Sequence, residues 1–290
     1  MNDTIELHNL AQYSFEEIAE AFALAFADYS ISIDKESLRA MLKRRGAEME
    51  LSFGAFHDNR LVSFIFNGIG TYEGLPTAYD TGTGTIKEYR GQGLTDLIFN
   101  HSITPLKEAG IKRYLLEVLT ENTPAVKIYK RQDFSIIREL VCYGAPNSEL
   151  LRAVEPRANQ QVNLEIIPVA TIEQYAPLLD FTPSWQNSFD SIKRNPEAFH
   201  CIAAYLDDEF AGYGISETAY GDISQLAVAT HLRRKGIGSR LLQELIRHNR
   251  IPKAKVLNIT SDADAMKLFL EASGFSETCR QFEMAKQLGR

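Results

Sequence analysis

Two short runs of the sequence have the composition of an anion cradle. The first is Thr85-Ile86-Lys-Glu-Tyr-Arg90-Gly91-Gln92-Gly93-Leu94-Thr95. It opens as a β-branched run, turns on two glycines and restarts with apolar residues at helical spacing (Leu94, Leu97, Ile98). A strand that stops in such a turn and restarts as a helix leaves backbone N–H groups without intrahelical partners. They point at one spot that the helix dipole makes positive. A phosphate or pyrophosphate is the natural occupant, and glycine lets the backbone approach it with no Cβ in the way. The second run, Val228-Ala-Thr-His-Leu-Arg233-Arg234-Lys235-Gly236-Ile237-Gly238-Ser239, repeats the layout close to half a chain length later. A period that long predicts a duplicated domain, because solenoid repeats run to only ~20–50 residues.

A third run lies downstream of the first cradle: Asn122-Thr-Pro-Ala125-Val-Lys-Ile128-Tyr129-Lys-Arg-Gln-Asp133-Phe134. With these runs the chain resembles the GCN5-related N-acetyltransferase (GNAT) family. That family's first signature is Arg/Gln-x-x-Gly-x-Gly/Ala after a strand, and its second is Asn-x-x-Ala-x-x-x-Tyr-x-x-x-Gly-Phe. Thr95 departs from the first and Asp133 from the second; in the second half only Gly274-Phe275 survives clearly from the latter. The resemblance covers nearly the whole chain as two domains in tandem. It implies acetyl-CoA as co-substrate, no metal, and transfer of an acetyl group to a primary amine on a small molecule or a protein.

Carried over position by position, the resemblance makes Tyr129 the acid that protonates the departing sulfur. Asn122 would steady the pantetheine arm or the local backbone. Cofactor contacts would fall on Thr85, Ile86, Arg90, Gly91, Gln92, Gly93, Leu94 and Thr95. In the second half they would fall on Val228, Arg233, Arg234, Lys235, Gly236, Ile237, Gly238 and Ser239. A phenol with pKa near ~10 is protonated at neutral pH and donates without special tuning. Aligned on Gly274-Phe275, the second half has Leu270 and Ala263 at the tyrosine and asparagine positions; a slide of one gives Phe269 and Asp262. Neither alignment supplies a proton donor. Catalysis is therefore expected in the N-terminal half, with the C-terminal half binding CoA or shaping the acceptor cleft. Catalysis in the C-terminal half, or acyl-CoA binding without catalysis, are the alternatives.

Thr95 would place a β-branched side chain near the pyrophosphate, crowding it or donating to it. The glycines of Thr81-Gly82-Thr83-Gly84-Thr85 mark either close approach by a ligand or a bulge. Glu73, Asp80 and Glu88, with Glu217 and Asp222 in the second half, are the candidates for a general base. His57, His101 and His231 have no Ser or Cys partner at nucleophile spacing.

The elements that must position these residues alternate. Strands are predicted at 5–9, 50–57, 61–69 and 78–86, with a hairpin turn at Asp58-Asn59. Helices follow Ser14 and span 35–45 and 94–109, the last stopping at Gly110. A strand at 114–119, a helix from Thr123-Pro124 and a strand at 135–143 complete the first half. From Val162 the order repeats: strands at 164–169, 199–206, 210–217, 223–228, 255–259 and 275–285; helices at 172–179, 185–193, 237–248 and 263–272. This predicts an α/β fold of two GNAT-like domains, 1–144 and 162–290, joined by a linker at 145–161. Each would be a mixed, mostly antiparallel central sheet flanked by helices, with the ligand at the ends of central strands.

At 290 residues and 44% hydrophobic content, the chain can build two cores. Its net charge of −7 argues against nucleic-acid or anionic-membrane partners and favours cationic amines. Lys43-Arg44-Arg45 reads as a solvated helix end. Cys142, Cys201 and Cys279 read as buried reduced thiols rather than a disulfide or zinc framework. With neither a secretory signal nor an apolar run of ~20 residues, a soluble cytoplasmic protein is expected, as monomer or homodimer.

Overall fold

Strands and helices alternate twice along the chain in the computed structural model, which describes residues 5–28, 33–153 and 162–289. The first pass is β1 (Glu6–Asn9), α1 (Phe15–Ala25), α2 (Lys35–Arg45), β2 (Phe53–His57), β3 (Arg60–Tyr72), β4 (Leu75–Thr85), α3 (Leu94–Glu108), β5 (Arg113–Leu119), α4 (Thr123–Arg131) and β6 (Ser135–Pro146). After α5 (Asn147–Ala153) the second pass is β7 (Val162–Ile166), α6 (Phe189–Arg194), β8 (Phe199–Leu206), β9 (Glu209–Glu217), β10 (Asp222–Val228), α7 (Ile237–Arg247), β11 (Lys253–Thr260), α8 (Asp264–Ala272) and β12 (Ser276–Gln287).

Local chemistry accounts for most of these ends. Ser14 accepts from the Glu17 amide while Glu17 reaches back to the Ser14 amide, a reciprocal cap. Gly46 closes α2 in the left-handed region. Both two-residue hairpin turns, Asp58-Asn59 and Asp207-Asp208, have positive φ at both residues, the twist that antiparallel strands require. The helix predicted at 172–179 is instead a 3-10 run, Val169–Leu178, containing Pro177, which cannot donate to an α-helical ladder. The 185–193 helix divides into a 3-10 turn at Trp185–Asn187 and α6. Residues 154–161 of the expected linker lie outside the described residues; 145–146 end β6, and 147–153 form α5.

The chain folds as two compact units that are not the two halves of the sequence. One contains residues 5–118, 122–137 and 283–289; the other contains 119–121 and 138–282. Against the expected domains 1–144 and 162–290, residues 119–121 and 138–144 fall in the second unit and 283–289 in the first. In the N-terminal unit the sheet order is β1-β2-β3-β4-β5, extended by the last residues of β12. There the Leu288 amide donates to Lys112 O at 2.8 Å, and Lys286 Nζ donates to Gln132 O at 2.6 Å. In the C-terminal unit the order is β7-β8-β9-β10-β11-β6. There the Asn147 amide donates to Pro252 O at 2.9 Å, the counterpart of the Leu288 bond.

Helices cover both faces of each sheet. In the N-terminal unit α1 and α2 bury Phe22, Leu38 and Leu42 in one cluster with Phe64 and Phe66. On the other face α3 sets His101 edge-on to Phe53. In the C-terminal unit α7 buries Leu241, Leu242 and Leu245 in one cluster with Ile202, Ala204 and Ile223. The 3-10 run and α6 bury Ile172 and Ile192 with Cys201, Tyr213 and Ile215 on the opposite face. Among the described residues no helix is long and apolar enough to cross a membrane.

Candidate active site

Each cradle sits where a parallel strand pair opens. β4 pairs with β5 from Thr77↔Arg113 to Tyr79↔Leu115, and β10 with β11 at Asp222↔Lys255. Just beyond the pairing each inner strand carries a bulge. Thr81 is skipped between Gly82 and Asp80 in the register with β3, and Ser224 between Ile223 and Gln225 in the register with β9. Thr81 precedes Gly93 by the same interval as Ser224 precedes Gly236, so the repeat extends down to a backbone irregularity. A bulge twists a strand and unpairs its ladder groups.

The helices after the cradles start at Gly93 (φ 74°) and Gly236 (φ 83°), and neither has a side-chain cap. Their first-turn N–H groups are thus open to an anion. A Cβ at Gly91, Gly93 or Gly236 would meet nothing within 4 Å. It is the left-handed backbone, not crowding, that calls for glycine there. The position of Gly91 is held in the second cradle by Arg234, also left-handed at φ 65°. Gly238 serves packing: a Cβ there would fall 3.2 Å from the Phe269 ring of α8. The counterpart of Gly238 in the first cradle is Thr95, and the position equivalent to Phe269 holds Ile128.

The two signature arginines are committed elsewhere. Arg90 donates from Nε to Thr85 O, from Nη2 to Ala25 O, and through both terminal nitrogens to Asp28 at 2.8 and 3.0 Å. Arg233 repeats this with Val228 O at 3.0 Å and Asp180 at 2.8 Å. Arg90 holds the Asp28 carboxyl below its ordinary range. Each arginine ties the strand end to the segment before the cradle, a role with no local sequence signal because Asp28 and Asp180 lie 62 and 53 residues away. Arg234 and Lys235 are exposed.

Asn122 caps α4, accepting from the Ala125 amide at 3.3 Å. Ala263 occupies the same backbone conformation before α8 (φ −79°, ψ 63° against −77°, 63°). Asp133 (φ 62°) and Gly274 (φ 96°) then coincide, so Leu270 stands where Tyr129 does. The Tyr129 ring packs edge-on to Phe134 at 5.7 Å. Its phenol is raised by burial and secondarily by the Asp80 carboxylate. Asp80 accepts from the Gly82 amide at 3.0 Å and the Thr83 hydroxyl at 2.6 Å, and burial pushes it up to about 6. Its counterpart is Ile223.

The other candidates are placed otherwise. Glu73 pairs with Arg113 at 2.9 Å, and Glu88 is exposed beside the cradle. Glu217 and Asp222 are buried opposite each other across β9 and β10. His57 meets the Tyr89 hydroxyl at 2.8 Å and His231 meets Glu209 at 2.7 Å. Gly84 admits Phe64, whose ring a Cβ would meet at 2.6 Å. The basic run is no solvated helix end: Arg44 is buried, and Arg45 donates to Thr81 O at 3.0 Å. Cys142 and Cys201 are buried, but Cys279 is half-exposed, its thiol drawn down to about 7 by a hydrogen bond with Cys142. Among the described residues no cluster of three His, Cys, Asp or Glu could hold a metal ion.

In the C-terminal unit a cavity of about 580 Å³ opens between β10 and β11. Arg234, Gly236 and Ser239 line its cradle end, and Leu242 and Val256 its α7 face. Asn187 and Gln225 line the opposite face. Gln225 bonds the Tyr213 hydroxyl and Asn187 O.

Residues 15–134 match the acetyltransferase (GNAT) family, and residues 180–287 match an acetyltransferase (GNAT) domain. The chain belongs to the GNAT family. Both GNAT matches fall where the cradles and bulges repeat. A tandem GNAT protein from the clavulanic acid biosynthesis pathway has the same fold at TM-score 0.75 and 16% identity, covering 99% of each chain. A GNAT enzyme from Sphaerobacter thermophilus follows at 0.69 and 14%, covering 100% of this chain and 98% of that one. The N-alpha-acetyltransferase 30 of Schizosaccharomyces pombe is 26% identical over 106 residues, 36% of this chain and 71% of that protein. The N-alpha-acetyltransferase MAK3 of Arabidopsis thaliana is 29% identical over 94 residues, 32% of this chain and 50% of that protein.

Proposed function

We propose that this GNAT protein moves an acetyl group from acetyl-CoA to a primary amine, with the chemical step in the N-terminal unit. The observation that carries this reading is the contrast at equivalent positions. Asp80 and Tyr129 flank the opening of β4 and β5, whereas Ile223 and Leu270 flank that of β10 and β11. Acetyl transfer needs a base for the ammonium of the acceptor and an acid for the departing thiolate. Asp80, pushed up to about 6, is ionised at neutral pH yet basic enough to accept a proton through an intervening water. Tyr129 keeps its proton at that pH and can give it to the CoA sulfur. The amides of Gly91 through Thr95 would hold the pyrophosphate. Asn122 acts through the start of α4 and so orients Tyr129. The similarity to N-alpha-acetyltransferases supports a peptide or protein amine as acceptor.

Replacing Tyr129 by Phe should lower CoA release about 10²–10³-fold while leaving acetyl-CoA binding in place; unchanged turnover would remove the step from this unit. A second reading, with the step in the C-terminal unit, is favoured by the open cavity there. Calorimetric titration of acetyl-CoA into Gly93→Asp and Gly236→Asp separates the two, since a carboxylate in a phosphate cradle repels its ligand. In the first reading Gly93→Asp abolishes turnover and Gly236→Asp preserves it.

A further inference from the structure

The first residues of β12 belong to the C-terminal unit and run beside β6. There the Thr278 hydroxyl donates to Cys142 O at 3.1 Å, and Gln281 Nε2 donates to Cys142 Sγ at 3.5 Å. Side chains two apart on a strand share a face, so Cys279 points at the same sulfur as Gln281 does. The two thiols are hydrogen-bonded to each other, Cys142 buried and Cys279 half-exposed. Asn258 Oδ1 also lies within reach of the Cys142 S–H, at 3.5 Å, and accepts from Gln281 at 2.8 Å. Asn258 lines the cavity of this unit, so the thiol pair sits one hydrogen bond behind the cavity wall. Neighbouring strands lie about 4.7–4.9 Å apart. A disulfide spans Cα atoms about 4.4–6.8 Å apart, so one can form here with both strands in place.

We propose that Cys279 and Cys142 are a redox-modification site, in which a low-molecular-weight disulfide such as oxidised glutathione converts the pair to an intramolecular disulfide. Cys279 reacts first because it is the accessible one and because the thiolate is the nucleophile. The bond from Cys142 draws the Cys279 thiol down to about 7 against partial burial; Thr278 adds to this, and the Glu121 and Glu277 carboxylates oppose it. The Cys279 thiolate attacks one sulfur of oxidised glutathione, forming a mixed disulfide and releasing one glutathione thiolate. Cys142 then gives up its proton and attacks Cys279 Sγ. The Cys142–Cys279 bond forms as the Cys279–glutathione bond breaks, and the second glutathione leaves. Two cysteine thiols are oxidised, one glutathione disulfide is reduced, and the two protons lost end on the two glutathiones. The largest influence holding the proton on Cys142 is its bond to Cys279, ahead of burial. That hold goes once Cys279 carries no charge in the mixed disulfide, so the first step prepares the second.

The test exposes the reduced full-length protein to oxidised glutathione at neutral pH and follows it by thiol titration and peptide mass mapping. Two of the three cysteine thiols should be lost. A peptide pair joined through Cys142 and Cys279 should appear, with no glutathione retained, and dithiothreitol should reverse it. Cys201 serves as the internal control: it is buried, its thiol pushed up to about 12, and it should stay free. Cys142→Ser should leave glutathione trapped on Cys279, and Cys279→Ser should leave both remaining cysteines unmodified. Circular dichroism before treatment checks that each variant is folded, and the wild-type result decides the matter without them. Glutathione retained on wild-type Cys279 with no joined peptide would overturn the inference. So would survival of all three thiols, or a joined peptide that forms only in denaturant.

Discussion

Asp80 links chemistry and stability through one proton. In the proposed role of base it must be ionised, so turnover should rise with pH through about 6 and level off above. Asp80→Asn should remove that limb and cost about 10²–10⁴-fold in rate; a limb that persists in the variant would belong to another group. The same proton sets the sign for folding. Burial raises the folded carboxyl above its ordinary 3.8, so between 3.8 and about 6 the folded chain binds more protons than the unfolded one. Stability should fall as pH rises through that window, and Asp80→Asn should flatten the fall, as read from urea midpoints. The places of Asn122 and Tyr129 on α4 were legible because their spacing fixes a helix start and a site near its end. Asp80 was visible only as one of several acids, since its register beside the bulge is a property of the sheet.

At the scale of elements, the cradles show backbone conformation and charge pulling against each other. Arg234 holds a left-handed φ that costs a non-glycine residue about 1–2 kcal/mol, whereas Gly91 adopts it freely. Arg234→Gly should therefore raise unfolding free energy by up to about 1 kcal/mol while weakening CoA binding and reducing its salt dependence. Chemical denaturation and titration at two ionic strengths read the two effects separately. Turns and caps were legible because their residues act on their own backbone: Asp58-Asn59, Ser14 with Glu17, and Gly110. The 3-10 run at Val169–Leu178 was not, because its apolar spacing suits an α-helix until Pro177 is weighed. The arginine ties to Asp28 and Asp180 were hidden for another reason: they join segments far apart in the chain and are made only in space.

For the molecule as a whole, the repeat was legible and the composition of the units was not. The half-chain period announces two copies, but nothing in β6 or β12 says which sheet each will join. Both run from an exposed start into a continuous buried stretch, and the choice of sheet is made by long-range pairing. The N-terminal unit needs residues 283–289, and the C-terminal unit needs 138–146. Expressed separately, 1–144 and 162–290 should each be unstable to limited proteolysis and lack a cooperative thermal transition. A stable, cooperatively melting 1–144 fragment would contradict the strand assignment.

That assignment also imposes an order of events during synthesis. β5 leaves the ribosome more than half a chain length before the end of β12 that extends its sheet. At ~5–20 residues per second the nascent N-terminal unit waits roughly 8–30 s with one strand edge bare. An unpaired edge is a template for wrong partners. Residues 283–289 thus close a sheet whose other strands are complete by residue 119.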